Sequence, residues 1–169
     1  VQRLVFPCLL IAGLTACVPY VDHPVAIAKA KPPLLGEHER ISDVQVIDGQ
    51  VTIEGFKGKV FEFVGSRLKQ ESERLLRKSG RWSEEDALTL HLEVENIRLR
   101  RTAAVLFLWQ VAGVDEMGIK VWVTRDGSVI ASESVATIYD AGGTYGTNSN
   151  QRRLAILTNQ VVHKMVKRF

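Results

Sequence analysis

Two hydrophobic periods divide most of the chain. Val44 and Val46, then Val51 and Ile53, alternate with polar residues on either side of Asp48-Gly49. An Asp-Gly pair between alternating runs predicts a hairpin, because a type I′ turn needs positive φ at both central residues. From Gly58 to Lys78 the period lengthens. At about 100° per residue, Val60, Phe61, Val64, Leu68, Leu75 and Leu76 share one arc of a helix. Glu62, Lys69, Glu73 and Arg77 lie opposite, and Ser79-Gly80 ends the run. Ala87 to Arg101 returns to period two, with Leu88, Leu90, Leu92 and Val94 on one face and Thr89, His91, Glu93 and Glu95 on the other. Ile97 and Leu99 then continue on odd numbers, a slip that a bulge near Glu95-Asn96 absorbs. Ile119, Val121 and Val123 open another strand, Asp126-Gly127 is a second hairpin turn, and Val129 to Ile138 returns.

A polar, Gly-rich loop follows at 141–150, and its Asn and Ser residues offer an N-cap. From Gln151 to Phe169, Leu154, Leu157, Val161, Val162, Met165, Val166 and Phe169 form an apolar arc, with Arg152, His163, Lys164 and Lys167 facing away. The predicted order is ββ-α-β-ββ-α, without internal repeats. Each amphipathic helix needs a sheet face to cover. The expectation is an α+β domain with a four- or five-stranded antiparallel or mixed sheet and two helices packed on one face.

The first residues follow neither period. Arg3 precedes an uncharged run from Leu4 to Ala16, shorter than the roughly 20 residues of a spanning helix. A positive start, an apolar core and small residues at its end describe a secretory signal peptide over 1–16. That run ends Leu14-Thr15-Ala16-Cys17, which resembles the bacterial lipobox. The resemblance implies that Cys17 receives a diacylglycerol, becomes the first residue of the mature chain and is acylated at its amino group. A thiol suits the role, since its thiolate is the nucleophile. Two or three acyl chains hold a protein on a membrane far more firmly than one. Val18, not Asp, follows the cysteine, and in enterobacterial lipoproteins that implies sorting to the outer membrane, facing the periplasm. Residues 17–40 then read as the lipidated cysteine and a flexible linker: Pro19, Pro24, Pro32 and Pro33 are all but one of the chain's 5 prolines. Residues 41–169 read as one periplasmic domain.

Composition narrows the chemistry. Hydrophobic residues make up 46% and charged residues 24%, the balance of a folded globule. The net charge of +3 is too small to argue for nucleic acid. The 2 cysteines, Cys8 and Cys17, both precede the domain, leaving no disulfide scaffold or cysteine-based zinc site within it. HExxH, CxxC and GxSxG are absent. Gly142-Gly143-Thr144-Tyr145-Gly146 lacks the ending of a P-loop. His91 beside Glu93 is the nearest approach to an acid/base pair. No catalytic residue, metal or cofactor is therefore expected.

Two features point to binding. Residues 102–114 carry no charge. They form either a buried element between strands or a hydrophobic docking surface that uses Leu106, Phe107, Leu108 and Trp109. Cations also collect in two places: Arg98, Arg100 and Arg101 at a strand end, and Arg152, Arg153, Lys164, Lys167 and Arg168 after the last acid, Asp140. Of these, Arg98, Arg100, Arg101, Arg152, Lys164 and Lys167 are candidates for contact with anionic lipid, lipopolysaccharide or an acidic partner.

Together, lipobox, proline-containing tether and β-α-β-β-α body resemble small Gram-negative envelope lipoproteins. These include the lipopolysaccharide-assembly lipoprotein and auxiliary lipoproteins of ABC transporters; the body also resembles the amino-terminal domain of the TolB group. The resemblance implies a non-enzymatic outer-membrane lipoprotein, anchored through acylated Cys17, that serves an envelope protein partner as scaffold or accessory subunit. The alternative is a carrier of lipid or lipopolysaccharide.

Overall fold

Alternation along four strands sorts their side chains onto a covered face and an open one. The computed structural model describes residues 31–47, 60–100, 114–139 and 149–169. The elements are β1 (Ile41–Ile47), α1 (Val60–Lys78), β2 (Leu88–Arg98), β3 (Asp115–Arg125), β4 (Ser128–Tyr139) and α2 (Asn150–Val166). The strands form one sheet in the order β1-β2-β3-β4. β1 and β2 run parallel, which a crossover through α1 permits, while β2–β3 and β3–β4 are antiparallel. The sheet is therefore mixed and the class α+β, as the periodicity predicts. Val51 and Ile53, the return arm of the first predicted hairpin, lie outside the described residues.

The covered face carries Val44, Leu90, Leu92, Val94, Ile119, Val121 and Val123, all buried. Val64, Leu68, Leu75 and Leu76 of α1 and Leu154, Leu157, Val161, Val162 and Met165 of α2 complete this core. α1 packs on β1, α2 packs on β3 and β4, and the helices touch each other. The predicted arcs are thus buried, Val166 by half, while the side chains of Val60 and Phe61 lie outside the described residues.

Local devices set the boundaries. Gly80, at φ +70, ends α1: its N–H donates to Arg77 O and that of Arg81 donates to Leu76 O, the paired bonds of a Schellman cap. Asp126 and Gly127, at φ 50 and 79, form the two-residue turn between β3 and β4. Ser149 caps α2, its side chain accepting from the Arg152 N–H. The β2–β3 register shifts between Val94 and Asn96, where the phase slip predicts a bulge.

Two boundaries differ from the sequence expectation. β3 begins at Asp115, ahead of Ile119, because Asp115 and Met117 extend the inward-facing series backwards. The compact unit begins at Pro32, so residues 32–40, expected to end the linker, belong to the fold. Leu35 is buried in the core, and the Leu34 N–H donates to Arg168 O at 2.6 Å. Glu39 accepts from Gly36 N–H and from Arg125 Nη2, both at 2.6 Å. These bonds, the backbone one foremost, hold its carboxyl below the ordinary range.

Candidate functional site

The densest chemistry lies where β2 ends and β3 begins. Period two aims Asp115 into the core at the first position of β3, and its side chain is 0% exposed. Oδ1 accepts from the Arg100 backbone N–H at 2.8 Å and from Arg100 Nε at 3.3 Å. Oδ2 accepts from Arg153 Nε at 2.7 Å, and Arg153 Nη2 also donates to Oδ1. Arg153, on the inward face of α2, is 1% exposed. Its Nη1 and Nη2 each donate to the Arg100 carbonyl at 3.0 Å, and Nη1 donates to Asn150 Oδ1 at 3.0 Å.

Burial alone pushes the Asp115 carboxyl up. The hydrogen bonds from Arg153 and from the Arg100 N–H, with the charges of both arginines, outweigh it and hold the carboxyl below its ordinary value. Two guanidinium groups thus converge on one buried carboxylate. The work of this cluster is mechanical. It ties Arg100 to Asp115 and both to α2, closing the base of the uncharged connection between the two strands.

Arg100 is therefore not part of a basic surface, contrary to the sequence expectation: its side chain is 2% exposed and turned to Asp115. Arg153 leaves the C-terminal run of surface cations for the same reason. Arg98 is exposed at the end of β2, opposite Glu116. Arg152 and Lys164 are exposed along α2 and Lys167 at its C-cap, and Lys164 Nζ donates to the Ala136 carbonyl at 3.1 Å. Arg168 Nε donates to Glu133 at 2.9 Å. Leu14, Thr15, Ala16, Cys17, Val18, Arg101, Leu106, Phe107, Leu108 and Trp109 lie outside the described residues.

His91 sits on the open face of the sheet. Its ring stacks on Trp122, 5.3 Å between centroids, and Nε2 lies 2.9 Å from Thr124 Oγ1. Lys120 Nζ stands 5.6 Å from the same indole. The ring is thus engaged by an aromatic and a hydroxyl neighbour. A groove of about 400 Å³ runs between β1 and α1, lined by Val44, Val46, Glu62, Ser66 and Lys69. Among the described residues no His, Cys, Asp or Glu side chains group as metal ligands, and no helix is long and apolar enough to cross a membrane.

The inward charges carried a sequence signal that cation counting passes over. Arg153 precedes Leu157 and Val161 at helical spacing, and Asp115 precedes Met117 and Ile119 at strand spacing. Opposite charges aimed into one core imply a pair.

No family model and no curated protein matches the chain. Solved structures do. A variant PelC dodecamer from Paraburkholderia phytofirmans is 13% identical, covering 82% of this chain and 93% of that one, with a TM-score of 0.50. A Xanthomonas campestris protein of the DUF330 family is 10% identical over 81% of this chain and 85% of its own, also at 0.50. A minor lipoprotein from Acinetobacter baumannii is 9% identical over 76% and 90%, at 0.45. At such identities the likeness to the first two is one of fold.

Proposed function

We propose that this chain is a lipid-anchored, non-enzymatic lipoprotein of a Gram-negative envelope, working as a scaffold or accessory subunit on the periplasmic side of the outer membrane. The observation that carries the reading is Leu14-Thr15-Ala16-Cys17, set at the end of an uncharged run and ahead of a separate folded unit. Val18 supports outer-membrane sorting.

Mass spectrometry of the chain purified from membranes tests the anchor. The expected species begins at Cys17 with a diacylglyceryl thioether; an unmodified thiol or a retained leader overturns the reading. Co-purification tests the scaffold role. Phe107→Glu with Trp109→Glu should release an envelope partner while leaving the unfolding midpoint unchanged, and undiminished association removes that patch from consideration.

A second reading, a carrier of anionic lipid or lipopolysaccharide, draws on Arg152 and Lys167, exposed in a stretch with no acid. It predicts salt-sensitive binding to anionic liposomes by a Cys17→Ser chain. Absence of binding at low salt ends it.

A further inference from the structure

Three of the exposed large apolar side chains among the described residues lie on β4: Val129 at 61%, Ile130 at 43% and Ile138 at 59%. β4 is also the last strand of the sheet, bonded to β3 on one side and to no other described strand. It is 12 residues long, contains no lysine or proline, and is regular against β3 from Ala131 to Tyr139, its one irregularity lying at Ile130. Its charge, Glu133, is engaged by Arg168 on the helix side.

The backbone groups that face outward can be read from one bond. Lys164 Nζ donates to the Ala136 carbonyl, so that carbonyl turns away from β3. The alternation of an antiparallel ladder extends the same orientation to Ser132 and Ser134.

We propose that β4 is a self-pairing edge. Two copies of this chain join β4 to β4 antiparallel, about a twofold axis at Ser134, and the sheet continues through both. Outward-facing residues must oppose one another, which sets the register: Ser134 opposite Ser134 and Ser132 opposite Ala136, as far as Ile130, where the pairing of β4 with β3 steps from Ala131 to Val129. Small side chains occupy the centre, and the exposed Ile138 of each copy lies just beyond it.

Charge selects the same occupant and register. Glu133 stands opposite Val135 of the second copy, whereas a register centred on Glu133 sets two carboxylates face to face. Lys164, released from Ala136, comes beside Glu133 of the second copy, so each copy offers the cation that the other's carboxylate attracts. An isologous contact of this kind closes as a dimer. This proposal is independent of the lipid anchor.

Sedimentation equilibrium of the full chain in detergent should give twice the chain mass. Ser134→Cys should oxidise to a bridge between the two copies, identified as a 134–134 peptide and distinguished by mass from bridges through Cys8 or Cys17. Ser134→Pro removes an outward N–H that β3 does not use, a place where edge strands accept proline. It should weaken dimerisation at least about tenfold and leave the unfolding midpoint in place. Ile138→Lys is the second variant, on the exposed surface, should the proline disturb folding. A monomer at every concentration overturns the proposal. So does a dimer that forms no 134–134 bridge, or one that both substitutions leave intact. Capture of an extended peptide from another protein by a monomeric chain assigns the edge to a different partner and overturns it equally.

Discussion

β3 is joined to its neighbours by two connections of opposite kind. At one end, Asp126 and Gly127 turn the chain within two residues, both at positive φ. At the other, the path from Arg98 to Asp115 is long, and its base is closed by Asp115, Arg100 and an arginine 38 positions away on α2. The first closure is local and rests on backbone conformation. The second exists only once α2 has docked, so it reports tertiary structure. A turn can be weakened gradually by its side chains, whereas a buried cluster of charges fails as a unit when one member is removed.

The largest expected effect is therefore at the clamped end. Asp115→Ala leaves two guanidinium groups facing the core without a counter-charge and should cost about 3–5 kcal/mol. The measure is a lower urea midpoint at unchanged slope. A loss no larger than that of a surface substitution erases the contrast between the two ends.

Acid should act on the same end. A carboxyl held below its unfolded value adds stability that is fully present above about pH 4 and vanishes as pH falls through the lower folded value. Asp115 is such a group. The parent chain should lose stability progressively below about pH 4, and Asp115→Asn should show a shallower fall. Glu39, shifted in the same direction, still contributes in the variant. Parallel acid profiles count against the cluster.

The turn should yield less. Gly127→Val forces a β-branched residue to φ +79 and should cost about 1–2 kcal/mol. Gly127→Asn should be milder. Equal losses from Gly127→Val and Asp115→Ala make the two closures equivalent.

The smallest effect sharpens the comparison. Ser149→Ala removes the cap of the helix that carries Arg153 and should cost about 1 kcal/mol. Because that helix supplies the clamp, Ser149→Ala combined with Asp115→Ala should cost less than the sum. Strict additivity in a double-mutant cycle separates cap from clamp.

The same contrast explains what the sequence made legible. Period two exposed β2 and β4, the slip at Ile97 located the bulge, and Asp126-Gly127 announced its turn, since each signal lies within a few residues. The apolar arcs of both helices were equally readable. Arg100 and Arg153 were hidden because cations at a strand end and in a final helix normally face water. Their burial depends on Asp115, a single acid whose role appears only when β3 and α2 meet. Leu34 and Leu35 were hidden by the prolines beside them, which marked the stretch as linker. The uncharged run around Leu106 to Trp109 was conspicuous, yet periodicity left it open between core and docking surface.

Leu34 N–H donates to Arg168 O, and Arg168 Nη2 donates to Pro32 O at 2.9 Å. The folded unit thus starts and finishes at one pole. A peptide bond joining Phe169 to Pro32, with the chain reopened between Asp126 and Gly127, should give a circular permutant of the same architecture. An epitope fused after Phe169 will stand beside Pro32, where the folded unit begins. A reporter in the β3–β4 turn reads the same end of the folded unit, because Arg125 beside that turn donates to Glu39 at 2.6 Å.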